Sequence, residues 1–133
     1  MSGDDGAQDI RVLIADDDAR VRTALRSFLS ASTGFDVVGD AGTFALALDL
    51  VRQHTPAVAI VGIAPRCAPE GLDVLRAITG ELRIPAVAMS TRAALRRPAL
   101  AAGACRFLQK DTSLDALLQA LRAAVRTSPA GQP

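Results

Sequence analysis

Apolar positions follow two rhythms along this chain, and the two alternate five times. Short runs dense in Val, Ile, Leu and Ala predict strands over 10–15, 35–41, 57–63, 84–90 and 104–109. Between them the apolar residues space out to helical intervals. Val21, Ala24, Leu25, Phe28 and Leu29 recur at i, i+3, i+4, i+7 and i+8, which predicts a helix buried on that side. Asp18 suits its N-cap, and Gly34 ends the segment. A second helix spans about 43–54, with Phe44, Ala47, Leu48 and Val51 inward and Pro56 after it; a third covers about 72–82. The last helix starts at Ser113 as N-cap and carries the stripe Leu114, Leu117, Leu118, Leu121 and Val125. Only 13 positions lead from Ser90 to Gly103, and Pro98 lies among them. Proline is tolerated in a first helical turn and breaks an interior, so the fourth helix should be short and begin near Pro98, after an irregular Arg-rich stretch.

The run 57–63 has no polar alternation, as expected of a central parallel strand covered on both faces. Strict strand–helix alternation implies an α/β, doubly wound (βα)5 parallel sheet with right-handed crossovers. The expected form is flavodoxin-like, strand order 2-1-3-4-5, as a single domain over 10–127. Residues 1–9 are expected to be a flexible tail, and 128–133 a Pro/Gly linker toward a further domain. Ligands in such sheets bind beyond the carboxyl ends of the strands, near the switch point between strands 1 and 3. That rule gathers Asp16, Asp17, Gly62, Ser90 and Lys110.

Composition narrows the function classes. Aromatic residues make up only 3%, so the core must be aliphatic. The net charge is +1, without the basic excess of a nucleic-acid module, so DNA contact is expected only through another domain. No apolar run approaches the roughly 20 residues that span a bilayer. The acidic, Gly-rich start is wrong for a signal peptide, and Cys67 and Cys105 are expected as free thiols. A cytoplasmic location follows as an expectation. His54 and the cluster Arg92, Arg96 and Arg97 suit solvated positions. Lys110 is the single lysine beside 14 arginines.

Three segments carry a family resemblance: Val12-Leu13-Ile14-Ala15-Asp16-Asp17, Pro85-Ala86-Val87-Ala88-Met89-Ser90, and Gly103-Ala104-Cys105-Arg106-Phe107-Leu108-Gln109-Lys110-Asp111. Together they resemble a response-regulator receiver domain of the NarL/FixJ type. The resemblance implies that Asp16 and Asp17 fall on the Mg²⁺-binding acids, Ser90 and Lys110 on the phosphoryl contacts, and Phe107 on the switch aromatic. It also implies a departure, because Gly62 stands where the family has its phosphoacceptor aspartate. No Asp or Glu lies between Asp49 and Glu70. An acyl phosphate needs a carboxylate aimed at the donor, and glycine supplies none. Two carboxylates without the third make a poor Mg²⁺ site, so metal at Asp16 and Asp17 is expected to be weak or absent. Lys110, one anionic partner short, should turn toward Asp16 or Asp17.

The expectation is a pseudo-receiver, not an enzyme: a phosphorylation-independent regulatory and dimerisation module of a transcriptional regulator. Phosphorylation moved to Asp16 or Asp17, and the sensing of a small ligand, are the alternatives. A flavodoxin-like enzyme would need a phosphate-cradling loop after strand 1, where three aspartates repel phosphate. A homodimer, or a heterodimer with a related regulator, is expected through the outer face of the last helix, at Ala116, Ala120 and Ala123.

Overall fold

Strands β1 (Ile10–Ala15), β2 (Phe35–Ala41), β3 (Val58–Gly62), β4 (Ala86–Ser90) and β5 (Arg106–Gln109) lie parallel in one sheet, in a computed structural model that describes residues 8–126. Their order is β2-β1-β3-β4-β5, as the alternating pattern predicts. Helices α1 (Ala19–Ala31), α2 (Phe44–His54), α3 (Ala68–Arg76), α4 (Arg96–Ala101) and α5 (Leu114–Arg126) cover its two faces.

Side chains of a strand alternate between faces, and this divides the core in two. Val12, Ile14, Val58, Ile60, Val87 and Met89 point to α1 and α5, where Leu25, Leu29, Leu117 and Leu121 meet them. Leu13, Ala15, Ala59, Val61, Ala86 and Ala88 point the other way, to Val51, Leu75, Ile78 and Phe107. β3 is buried from Val58 to Val61, the central position that its unbroken apolar run implies.

The helix starts follow local capping chemistry. The Asp18 carboxylate accepts from the Arg20 N–H, and Thr43 accepts from Leu46 N–H. Ser113 Oγ accepts from Ala116 N–H at 3.1 Å, so the Asp18 and Ser113 caps act as the sequence suggests, and Thr43 is a further cap that the structure adds.

Several expectations need correction. α3 begins at Ala68, not Leu72, because Pro69 takes a first-turn position where its missing N–H costs nothing. The helix then widens into a π turn over Ala77–Glu81, closed by Leu82 N–H donating to the Ala77 carbonyl. α4 has six residues and starts at Arg96, after a 3₁₀ turn over Ala93–Leu95. It is short, as expected, with Pro98 inside its first turn. β3, β4 and β5 are shorter than their apolar runs, and β4 and β5 start two residues late, after Pro85 and Ala104-Cys105. The expected segments 1–9 and 128–133 fall largely or wholly outside the described residues.

The buried face of α5 is also rotated from the expected one. Leu117, Ala120, Leu121 and Ala124 are buried, whereas Leu114 is 49% exposed. The small side chains of Ala120 and Ala124 let the helix lie close to the sheet. Leu114, in the first turn, instead lines an apolar groove of about 230 Å³ with Val21 and Ala24 of α1. Ala24 is therefore exposed rather than core.

Candidate functional site

The carboxyl end of β1 delivers Asp16 into the sheet's upper edge, where only 5% of the residue is exposed. Burying a carboxylate is costly unless each oxygen finds a partner. Here both do. Asp16 Oδ2 receives the Lys110 ammonium at 2.9 Å, and Oδ1 accepts from the Asp18 N–H at 2.9 Å. Lys110 comes from the turn after β5, whose backbone is fixed by Lys110 N–H donating to the Ser90 carbonyl. The ion pair thus ties the ends of β1 and β5 across β3 and β4.

What admits Asp16 to this position is the end of β3. Gly62 lies directly against the Asp16 carboxylate. A Cβ built on Gly62 would overlap Asp16 Oδ2 and come within 2.5 Å of its Cγ. The space that any other residue's side chain would fill is therefore taken by Asp16.

The remaining sequence-predicted residues are nearby but separately engaged. Asp17 faces outward, 3.4 Å from Arg66 Nη2, with the Cys67 thiol 3.6 Å from the same oxygen. Burial, then the neighbouring Asp17 charge, pushes the Cys67 thiol above its ordinary value. Ser90 is fully buried and donates to the Ile63 carbonyl at 2.7 Å, while accepting from the Arg92 N–H. Phe107 is buried on the α3–α4 side of the sheet. Asp18 stays outside the pocket as a helix cap; the Arg20 N–H bond holds its carboxyl below the usual range.

Two arginines of the site carry no sequence signal. Arg22 donates to the Asp16 carbonyl at 2.8 Å and pairs with Asp40, and Arg66 meets Asp17. Neither lies in a strand-end segment, so spacing gave no reason to single them out. Beside Gly62 a cavity of about 40 Å³ opens under α2 and α3, lined by Asp17, Thr43, Cys67, Glu70 and Val74.

Residues 12–122 match the response regulator receiver domain family. The chain is a response regulator receiver domain. It is 35% identical to a protein-glutamate methylesterase/protein-glutamine glutaminase of Anaeromyxobacter dehalogenans, over 96% of this chain and 38% of that protein. It is 36% identical to the transcriptional regulatory protein KdpE of Mycobacterium tuberculosis, over 90% of this chain and 52% of that one. The receiver thus spans about half or less of the length of these curated relatives. Among solved structures, the response regulator domain of Thermotoga maritima CheB superposes with a TM-score of 0.80 at 27% identity, covering 92% of this chain and all of that one. The signal receiver domain of NarL from M. tuberculosis gives 0.72 at 31% identity, covering 86% and 98%. No helix of the described residues is long and apolar enough to cross a membrane.

Proposed function

We propose that this receiver works without phosphotransfer, as the regulatory and association module of a longer transcriptional regulator. The observation that carries the proposal is Gly62. At the end of the central strand the receiver has no side chain, and the Asp16 carboxylate fills that space. A phosphoacceptor must be an accessible carboxylate free to attack in line. Asp16 is 5% exposed and bonded at both oxygens, which argues against transfer of the acceptor role to it. Ser90 and Lys110, on the positions that contact phosphoryl groups in the family, have internal partners instead.

Similarity to KdpE, at 36%, and to the transcriptional regulatory protein PdtaR of M. tuberculosis, at 35%, favours an effector that acts on transcription. In this proposal any DNA contact belongs to that effector, the location is cytoplasmic, and the output is set by association with a second copy or a related regulator. Ala116 and Ala123, both half-buried on α5, remain candidates for the contact. Ala120 does not, since it is buried beneath the helix.

The deciding experiment is intact-mass measurement after incubation with acetyl phosphate and Mg²⁺. We expect no gain of the about 80 Da that a phosphoryl group adds. A stoichiometric, hydroxylamine-labile adduct overturns the proposal.

A further inference from the structure

The family resemblance places Mg²⁺ on Asp16 and Asp17, and the geometry can be tested against that ion. Mg²⁺ demands near-octahedral oxygen ligands with enough negative charge. Asp16 Oδ2 is already 2.9 Å from an ammonium, and Oδ1 is held by a backbone N–H. Asp17 turns to Arg66. Gly62 adds no oxygen from a side chain, and among the described residues no three His, Cys, Asp or Glu side chains gather around one point. The residues do not fit the ion.

We propose that the Lys110 ammonium is the resident cation of this pocket, in place of a divalent metal, and that Gly62 is the residue that makes the exchange possible. The two parts depend on each other. Asp16 reaches its position only because nothing projects from Gly62, where a Cβ would overlap Oδ2. Once there, Asp16 has only 3% of its side chain exposed and Lys110 has 21%, so the pair is shielded from water on the carboxylate side. A cation entering from solvent would have to displace an ammonium that the chain itself delivers, and then strip its own hydration shell. Arg22 stiffens the arrangement through the Asp16 carbonyl. The pocket therefore holds one fixed state, with the ends of β1 and β5 tied, whatever the Mg²⁺ concentration. This inference builds on the proposal that the domain does not accept phosphate, and its test is separate from that one.

The test is Mn²⁺ binding, followed by the loss of the free-ion paramagnetic signal, on the protein and three variants. The parent should show no saturable site at millimolar Mn²⁺. Lys110→Met leaves Asp16 buried without a counter-charge, the condition under which another cation is most favoured. It should bind at least about tenfold tighter than the parent, about 1.4 kcal/mol of binding free energy. Lys110→Arg keeps a cation and should behave like the parent. Should Lys110→Met fail to fold by circular dichroism, Gly62→Ala decides, since its Cβ must push Asp16 off Lys110 and should also create a site. A parent that saturates as tightly as Lys110→Met overturns the inference, as does a folded Lys110→Met or Gly62→Ala that binds no better than the parent. Saturable Mn²⁺ in the parent without a phosphoryl adduct would refute the resident ammonium and leave the phosphate-independent proposal standing.

Discussion

Ser90 Oγ donates to the Ile63 carbonyl at 2.7 Å, a bond fully buried between the end of β4 and the residue after β3. The hydroxyl that resemblance assigns to phosphoryl contact is thus committed to fastening two strand ends. The same two segments are also joined by the Ile63 N–H donating to the Met89 carbonyl. Ser90→Ala removes the donor and leaves the Ile63 carbonyl without that partner. A buried acceptor left unsatisfied costs about 1–3 kcal/mol. Urea denaturation should show that loss with an unchanged m-value. A change below about 0.3 kcal/mol would mean that water replaces the hydroxyl freely.

Gly62→Ala offers a test in which the sign is informative. Replacing glycine inside a strand ordinarily stabilises by about 0.5–1 kcal/mol, because glycine loses the most freedom on folding. Here the new methyl overlaps a buried carboxylate that is itself paired. Forcing extra atoms into a filled site costs about 1–3 kcal/mol, so the variant should be less stable despite its better strand propensity. A stabilised Gly62→Ala would show that Asp16 moves aside without penalty.

The acid limb of stability should report Asp18. Its carboxyl is held below the ordinary value of 3.8, chiefly by the Arg20 N–H that it caps, with the Arg20 charge assisting and desolvation opposing. A folded-state pKa below the unfolded one adds stability that is present above the unfolded value and fades as pH falls through the folded one. The contribution is therefore complete near neutrality and is lost as pH falls through the folded value, which lies below 3.8. Asp18→Asn keeps an acceptor for the cap and removes the titration. Its stability should fall less steeply than the parent's between about pH 5 and pH 2. Identical acid limbs would exclude Asp18 from the transition.

Much of this fold is visible in the sequence because the decisive interactions are local. The uninterrupted run at Val58–Val61 can only be satisfied by cover on two faces, and Asp18 and Ser113 cap helices through bonds two or three residues away. The strand ends also foretell which residues meet, since a parallel sheet brings Asp16, Gly62, Ser90 and Lys110 to one edge whatever their side chains do. Partner choice is another matter. That Asp17 takes Arg66, that Arg22 braces the Asp16 carbonyl, and that Ser90 turns to Ile63 all depend on rotamers and loop paths. The start of α3 is another such case: a proline such as Pro69 fits a loop or a first helical turn equally well, and only tertiary position chooses.

The rotation of α5 shows the limit of periodicity and gives the final prediction. Leucines at 114, 117, 118 and 121 suggest a stripe centred on 118, but Leu117, Ala120, Leu121 and Ala124 are the buried set. Alanine counts little in a hydrophobic pattern and much in packing, because it sets how near a helix axis can come to a sheet. Ala120, 6% exposed, should therefore behave as core. Ala120→Glu places a charge against Leu117 and the sheet and should cost at least about 3 kcal/mol, or prevent folding. Gln119→Glu, one residue earlier on the exposed face, should stay within about 0.5 kcal/mol of the parent. Association, in contrast, should respond at Ala116, which is half-buried and lies one turn before Ala120. If copies of the domain meet along α5, Ala116→Glu brings two like charges together at a twofold axis and should shift sedimentation toward monomer, with the melting temperature of the monomer retained. A parent that is monomeric at high micromolar concentration, or an Ala116→Glu variant that sediments as the parent dimer does, removes α5 as the contact.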